Sequence, residues 1–286
     1  MEMKILPIIW FFFFIPATIY GQKPQIGIVQ DLENDSLISA SGYRYLIEST
    51  TKCFSPKKVT DEQFLINLTT IKKLKTPLLA VNLFIPGELK LVGPTVDEAA
   101  ILAYTEIVLQ RCQAANVKMI TWGSGGARRL PDGFEKAKAI KQFVDIAQKV
   151  SIQAKKYTIV LALENLNSTE TNFINTLEEA YEIVQKVNQP NFRLCADIYH
   201  MLKENEKPQI IEKASKYIVH CELAEKENRT PPGTKGDDFS EYLKALKKIK
   251  YKGKIILECR WENLTLQAPL AYQYLQREID NVYDNN

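Results

Sequence analysis

Histidine is scarce in this chain: only His200 and His220 occur in 286 residues. That excludes sites that consume several imidazoles, such as a three-zinc cluster, which would need further histidines on early strands. Cysteine is sparse too, and its count of five is odd. Cys195, Cys221 and Cys259 each fall inside an apolar, strand-like run, where cysteine behaves as a small apolar residue. Neither a disulfide framework nor a catalytic cysteine is expected. Clustered base is missing as well: 37 basic and 34 acidic residues are spread along the chain, for a formal charge of +3. Such a balance argues against a nucleic-acid partner. No G-x-G-x-x-G follows the first apolar run, "QIGIVQDLENDS", which disfavours a dinucleotide-binding open sheet.

The first 21 residues, "MEMKILPIIWFFFFIPATIYG", place a lysine before a dense apolar core and end in small or turn-forming residues. This is the pattern of a secretory signal. Its apolar core, Ile5 to Ile15, is short for a membrane span, although an uncleaved N-terminal anchor is the alternative. No cysteine follows that core, which disfavours a lipid anchor. The expectation is a signal peptide over 1–21, an exported (periplasmic or secreted) soluble domain over 22–286, and no stable membrane insertion after signal removal.

Past the signal there is no low-complexity tract or Pro/Gly-rich linker. Eight short apolar or β-branched runs recur: 25–30, 43–49, 77–85, 117–123, 158–165, 192–197, 217–224 and 254–261. Amphipathic stretches of helical period separate them, clearest in "VDEAAILAYTEIVLQRCQAAN" and "FEKAKAIKQFVDIAQKVSIQAKK". Another, "DFSEYLKALKKIKYKG", is expected to stop at Gly253. Near-continuous apolar strands alternating with helices imply a parallel sheet covered by helices. Eight such units in about 260 residues fit a single-domain (β/α)8 TIM barrel.

Barrel sites form at the C-terminal ends of the strands. Run five ends in Glu164 and run six in Asp197, with His200 three residues on; run seven contains His220 and run eight Glu258. Each has a plainer reading. Asp197 could cap the next helix; Glu164, Asn165 and Asn167 could be turn residues; His220 could be a satisfied core histidine. Glu258 directly follows "KIIL", where an unpaired buried carboxylate is costly. Taken together, three carboxylates and one imidazole at comparable height suggest an oxygen-rich divalent site. That set suits Mn²⁺ or Mg²⁺, with Co²⁺ or Zn²⁺ also possible. Such a site serves proton transfer beside a carbonyl: the cation stabilises an enediolate, and carboxylates remove and return the proton.

These residues carry a resemblance. From Gln25 onward the chain resembles the xylose-isomerase-like superfamily of sugar isomerases and epimerases, its ketose 3-epimerases above all. The matching features are the glutamate of "LEN", the D-x-x-H of "DIYH", the strand-seven histidine, "ECRW", and "NRTPPG". The resemblance implies Glu164, Asp197, His220 and Glu258 as metal ligands, with Glu164 and Glu258 doubling as the acid/base pair. It implies His200 and Arg229 as contacts to substrate oxygens. Nine positions separate His220 from Arg229, more than the epimerase loop uses. Beside the resemblance, Trp122 and Trp261 flank site positions and either stack on a sugar face or pack at the barrel rim, and Arg128 and Arg129 of "TWGSGGARRLPDG" either bind an anionic or polyhydroxyl group or stand solvated in a flexible surface turn. Glu48 and Asn82 are supporting candidates. The expected substrate is a small sugar, keto-sugar or glycoside, and the chain is compatible with a homo-oligomer. An exported carbohydrate-binding protein and a lyase or hydrolase variant of the same barrel are the rival readings; apurinic-site endonuclease activity lacks the histidines it needs.

Overall fold

The computed structural model describes residues 23–284; the expected signal peptide lies outside the described residues. Eight parallel strands close on themselves in sequence order. They are β1 (Gln25–Val29), β2 (Tyr45–Ser49), β3 (Leu78–Asn82), β4 (Met119–Trp122), β5 (Val160–Glu164), β6 (Phe192–Asp197), β7 (Ile218–Leu223) and β8 (Lys254–Leu257). Each lies within one of the eight apolar runs. Closure is made by β1 against β8, with Gln25 paired to Lys254 and Ile28 to Leu257. The expected single-domain (β/α)8 barrel is therefore what forms.

Closure is tight enough to dictate a residue. A Cβ on Gly27 would lie 2.4 Å from Ile256 Cδ1 and 2.8 Å from the Tyr45 carbonyl, so only glycine lets these three strands meet.

The long helices Glu98–Ala114 and Lys136–Lys156 lie within the two clearest amphipathic stretches, and a third runs from Leu177 to Val187. Two have side-chain caps: Asp97 accepts from Ala100 N, and Thr176 from Glu179 N. Helix Ser240–Lys248 stops short of Gly253. Lys250 itself takes the left-handed conformation that turns the chain toward β8, and Gly253 sits against the Tyr251 ring. All five cysteines carry free thiols, four of them buried. No helix among the described residues is long and apolar enough to cross a membrane.

Candidate active site: a ring of acids at the barrel mouth

Four consecutive strands, β5 to β8, each deliver one acid to the same point. Glu164 and Asp197 are the last residues of β5 and β6, Glu222 is the penultimate residue of β7, and Glu258 follows β8 directly. One carboxylate oxygen from each lies within 4.8 Å of the others. Asp197 and Glu222 are fully buried, Glu164 nearly so, and Glu258 half-buried.

The strand-seven member differs from expectation. His220 does not join this group; Glu222 stands in its place. Side chains two residues apart on a strand share a face, so both point into the barrel, and register decides their depth. His220 pairs with Cys195 and Glu222 with Asp197, after a shift between Leu194 and Cys195. His220 therefore sits a layer below the acids, about 6.5 Å deeper along the strand. Its Nε2 lies 3.0 Å from Glu222 Oε1. Counted from Glu222, the separation to Arg229 is seven positions, two fewer than from His220. The signal was present in "HCELAE", which holds two inward-facing candidates.

Around the ring, the segment "ENLN" does more than turn the chain. Asn165 Oδ1 accepts from Asp197 N at 3.0 Å, and its Nδ2 donates to the Asp197 carbonyl at 3.2 Å. Asn167 N donates to His200 Nδ1 at 3.0 Å. Nδ1 must then be the acceptor nitrogen, which leaves the proton on Nε2. That Nε2 lies 3.3 Å from Glu164 Oε1 and 3.4 Å from Asp197 Oδ2. Asp197 fulfils both readings of its position: Oδ1 caps helix Ile198–Lys203 through His200 N at 3.3 Å, while Oδ2 faces the ring.

Arg229 is the one arginine or lysine that reaches a carboxylate oxygen of the ring among the described residues. Its Nη2 lies 2.7 Å from Glu258 Oε2 and 3.5 Å from Asp197 Oδ2, and its Nε donates to the Glu258 carbonyl at 2.9 Å. Its guanidinium lies over the Tyr199 ring at 4.6 Å. The loop that presents it is organised by the buried Glu225. That carboxylate accepts from Gly233 N, Thr234 N, Lys235 N and Gly236 N, and from the Thr230 hydroxyl. Asn82, at the end of β3, donates to Glu258 Oε1 at 3.0 Å.

Four other expected contacts fall elsewhere. Trp122 is fully buried among Phe84, Phe143 and Phe192. Strand alternation sends Thr121 inward, toward Glu222 Oε1 at 3.4 Å, and Trp122 outward into the helix layer. It cannot stack on a ligand at the ring. Arg128 is also fully buried. Its Nη2 donates to the carbonyls of Glu164 and Ile174 at 2.9 and 3.1 Å, so it braces the backbone behind Glu164 instead of meeting a ligand. Burial pushes its pKa down to about 10. Trp261 is half-buried and packs on the core, while Arg129 donates to the Glu170 carbonyl.

Electrostatics define what the ring can hold. At 4.8 Å, two carboxylates repel by about 3–4 kcal/mol at an effective dielectric of 20. Four ionised acids facing one arginine would leave three uncompensated negative charges. The groups respond accordingly. Burial, then repulsion from Glu258 and Asp197, pushes Glu164 up to about 7 against the opposing pull of His200. Glu222 is driven well above the carboxylate range by burial and by Glu258, Glu164 and Asp197. Burial opposes charge on Arg229 and His200, yet facing carboxylates win and raise both. Glu222 Oε2 is buried with no hydrogen-bond partner among the described residues. A divalent cation resolves both the repulsion and the orphaned oxygen, so the donor set fits one.

A model of the xylose isomerase-like TIM barrel family matches residues 67–280. Over 125 residues the chain is 30% identical to a D-psicose 3-epimerase of Enterocloster bolteae, covering 43% of this chain and 40% of that protein. Over 154 residues it is 29% identical to an inosose isomerase of Bacillus subtilis, covering 50% and 55% respectively. The chain thus spans about half the length, or less, of these curated relatives. Among solved structures, the apo 3-keto-D-glucoside 4-epimerase of E. coli superposes with a TM-score of 0.74 at 20% identity, covering 89% of this chain and all of that one. A family model that spans most of the chain, together with a closed eight-stranded barrel, places this protein in the xylose isomerase-like TIM barrel family.

Proposed function

We propose that this protein is a divalent-metal-dependent epimerase or isomerase of keto-sugars, working by proton transfer beside a carbonyl. The observation that carries this reading is the convergence of Glu164, Asp197, Glu222 and Glu258 within 4.8 Å. Its relatives, a D-psicose 3-epimerase and an inosose isomerase, support it. Glu164, Asp197, Glu222 and Glu258 would hold the cation, with Mn²⁺ or Mg²⁺ favoured by an all-oxygen donor set. When bound, the ion supplies Lewis-acid polarisation of the substrate carbonyl and hydroxyl.

The remaining chemistry belongs to side chains. Glu164 and Glu258 are the acid/base pair that takes the proton from the carbon beside the carbonyl and returns one. Glu258 is oriented by Asn82 on Oε1 and Arg229 on Oε2. His200 presents its Nε2–H between Glu164 and Asp197, where a substrate oxygen at the ring could accept it. Arg229 offers a cationic donor at the rim. With the export expected from residues 1–21, a free or glycosylated sugar is a better substrate than a phosphorylated one.

The test is solvent-proton exchange. In D₂O with Mn²⁺, a true substrate takes up deuterium at the carbon beside its carbonyl. Glu258→Gln should abolish that uptake while circular dichroism stays unchanged; undiminished uptake would remove Glu258 from this role.

A further inference from the structure

Directly beneath the acid ring lies a second set of donors, of different chemistry. Cys195, His220 and Glu222 offer a thiol sulfur, an imidazole nitrogen and a carboxylate oxygen, and these atoms lie within 4.8 Å of one another. All three side chains are buried. Cys195 stands two residues before Asp197 on β6, and His220 two before Glu222 on β7. Both therefore face into the barrel, and the strand register pairs them with each other. Cys221, between His220 and Glu222, faces the helix layer instead. Bulky branched side chains usually fill a barrel interior; at this depth β6 and β7 supply a thiol and an imidazole.

The spacing suits a small cation. Even at the full 4.8 Å separation, a centre equidistant from three such atoms lies about 2.8 Å from each. Zinc bonds run about 2.3 Å to thiolate sulfur and about 2.0–2.1 Å to imidazole nitrogen or carboxylate oxygen. Movements of under about 1 Å by each side chain therefore close the shell. Donor type then decides which ion enters. Thiolate and imidazole favour Zn²⁺ or Co²⁺, whereas Mn²⁺ and Mg²⁺ favour the all-oxygen ring above. On binding, the Cys195 thiol gives up its proton to solvent and ligates as thiolate.

We propose that Cys195, His220 and Glu222 form a second metal site, one layer below the ring, that takes Zn²⁺ or Co²⁺ in preference to Mn²⁺ or Mg²⁺. The site stands apart from the keto-sugar reading, because it concerns which ion binds, whatever the substrate. Glu222 belongs to both sets of donors. An ion in the lower site therefore withdraws one of the four ring acids, and Zn²⁺ antagonises Mn²⁺ binding above it.

Cobalt reports the site directly, because a thiolate ligand adds an intense near-ultraviolet sulfur-to-cobalt charge-transfer band that oxygen donors do not give. Metal-stripped protein titrated with Co²⁺ should develop that band, and Zn²⁺ should bleach it. Cys195→Ser and Cys195→Ala should each abolish the band while circular dichroism stays unchanged. Cys259→Ala, which removes the thiol next to Glu258 in sequence, should keep it. No band in the wild type, or a band that survives both Cys195 variants, overturns the site. A band lost only in Cys259→Ala overturns it in favour of a thiolate at the ring. Losing even a partner behind a ligand costs about tenfold or more, so Zn²⁺ should weaken Mn²⁺ binding to wild type at least about tenfold more than to Cys195→Ser. Equal weakening in calorimetric titrations would refute the antagonism through Glu222. Mn²⁺ binding without a cobalt band defeats the lower site alone, whereas binding of neither ion defeats the ring with it.

Discussion

His220 Nε2 lies 3.0 Å from Glu222 Oε1 with both side chains buried in the barrel, and this contact decides which Glu222 oxygen is free. Burial, aided by Lys254, pushes His220 down to about 3. The imidazole is therefore neutral at pH 7 and shares a hydrogen bond with Oε1, while Oε2 has no partner among the described residues. Removing that partner in His220→Ala should weaken Mn²⁺ binding by about 10–100-fold, the usual cost of losing a partner behind a ligand. Glu222→His adds a nitrogen donor and should raise Zn²⁺ affinity relative to Mn²⁺ by at least about tenfold. Calorimetric titration of metal-stripped protein measures both; an unaltered Mn²⁺ affinity in His220→Ala would contradict the first.

Arg229 pairs with Glu258 and Asp197, two of the acids that the proposed divalent ion would neutralise. Arg229→Ala should destabilise the metal-free protein by about 1–3 kcal/mol, discounted for the partial exposure of Arg229 and Glu258. That deficit should shrink once Mn²⁺ is bound, because the ion takes over the neutralisation. Urea melts with chelator and with Mn²⁺ make the comparison, and equal deficits in both would refute it.

Gly123 is confined by the Glu164 carboxylate. A Cβ there would lie 2.3 Å from Glu164 Oε2, so Gly123→Ala must displace that carboxylate. Misplacing a catalytic group by about 1 Å costs on the order of 100-fold in rate. The variant should stay folded by circular dichroism and lose deuterium uptake by that factor; wild-type uptake would show that Glu164 tolerates the shift.

Glu48 gives a pH dependence outside the ring. Burial pushes it up to about 7 from 4.5, although the amides of Ser49 and Leu32 pull the other way. A carboxyl raised on folding keeps its proton longer in the folded state. Its stabilising contribution is full below about pH 4.5 and is lost as pH rises through 7. Across that window wild type should lose up to about 3 kcal/mol that Glu48→Gln does not lose. Denaturant melts at pH 5 and pH 8 compare the slopes, and parallel slopes would rule Glu48 out as the source.

Much of this was legible in the residues. "TIVLALEN" and "FRLCAD" each end an apolar run in an acid, and in a parallel barrel the end of such a run is the mouth, so Glu164 and Asp197 could be placed from sequence. Depth within β7 could not. "HCE" offers two inward side chains, and only the shift between Leu194 and Cys195 puts Glu222 level with Asp197. Trp122 failed for a related reason. Proximity along the chain to Gly123 says nothing about facing, and strand alternation turned the indole into the helix layer. Arg128 failed because the loop after β4 folds back under Glu164, a contact between residues 36 positions apart that no local pattern encodes.

All four acids come from β5 to β8, and strands on the other side of the barrel touch them as supports, through Asn82 on Glu258, Thr121 on Glu222 and Gly123 against Glu164. The four donors therefore belong to one continuous stretch of chain, Glu164 to Glu258, that is set into a sheet closed by the strands before it. The first half of the barrel can vary in sequence without replacing a donor, provided it keeps those three supporting contacts.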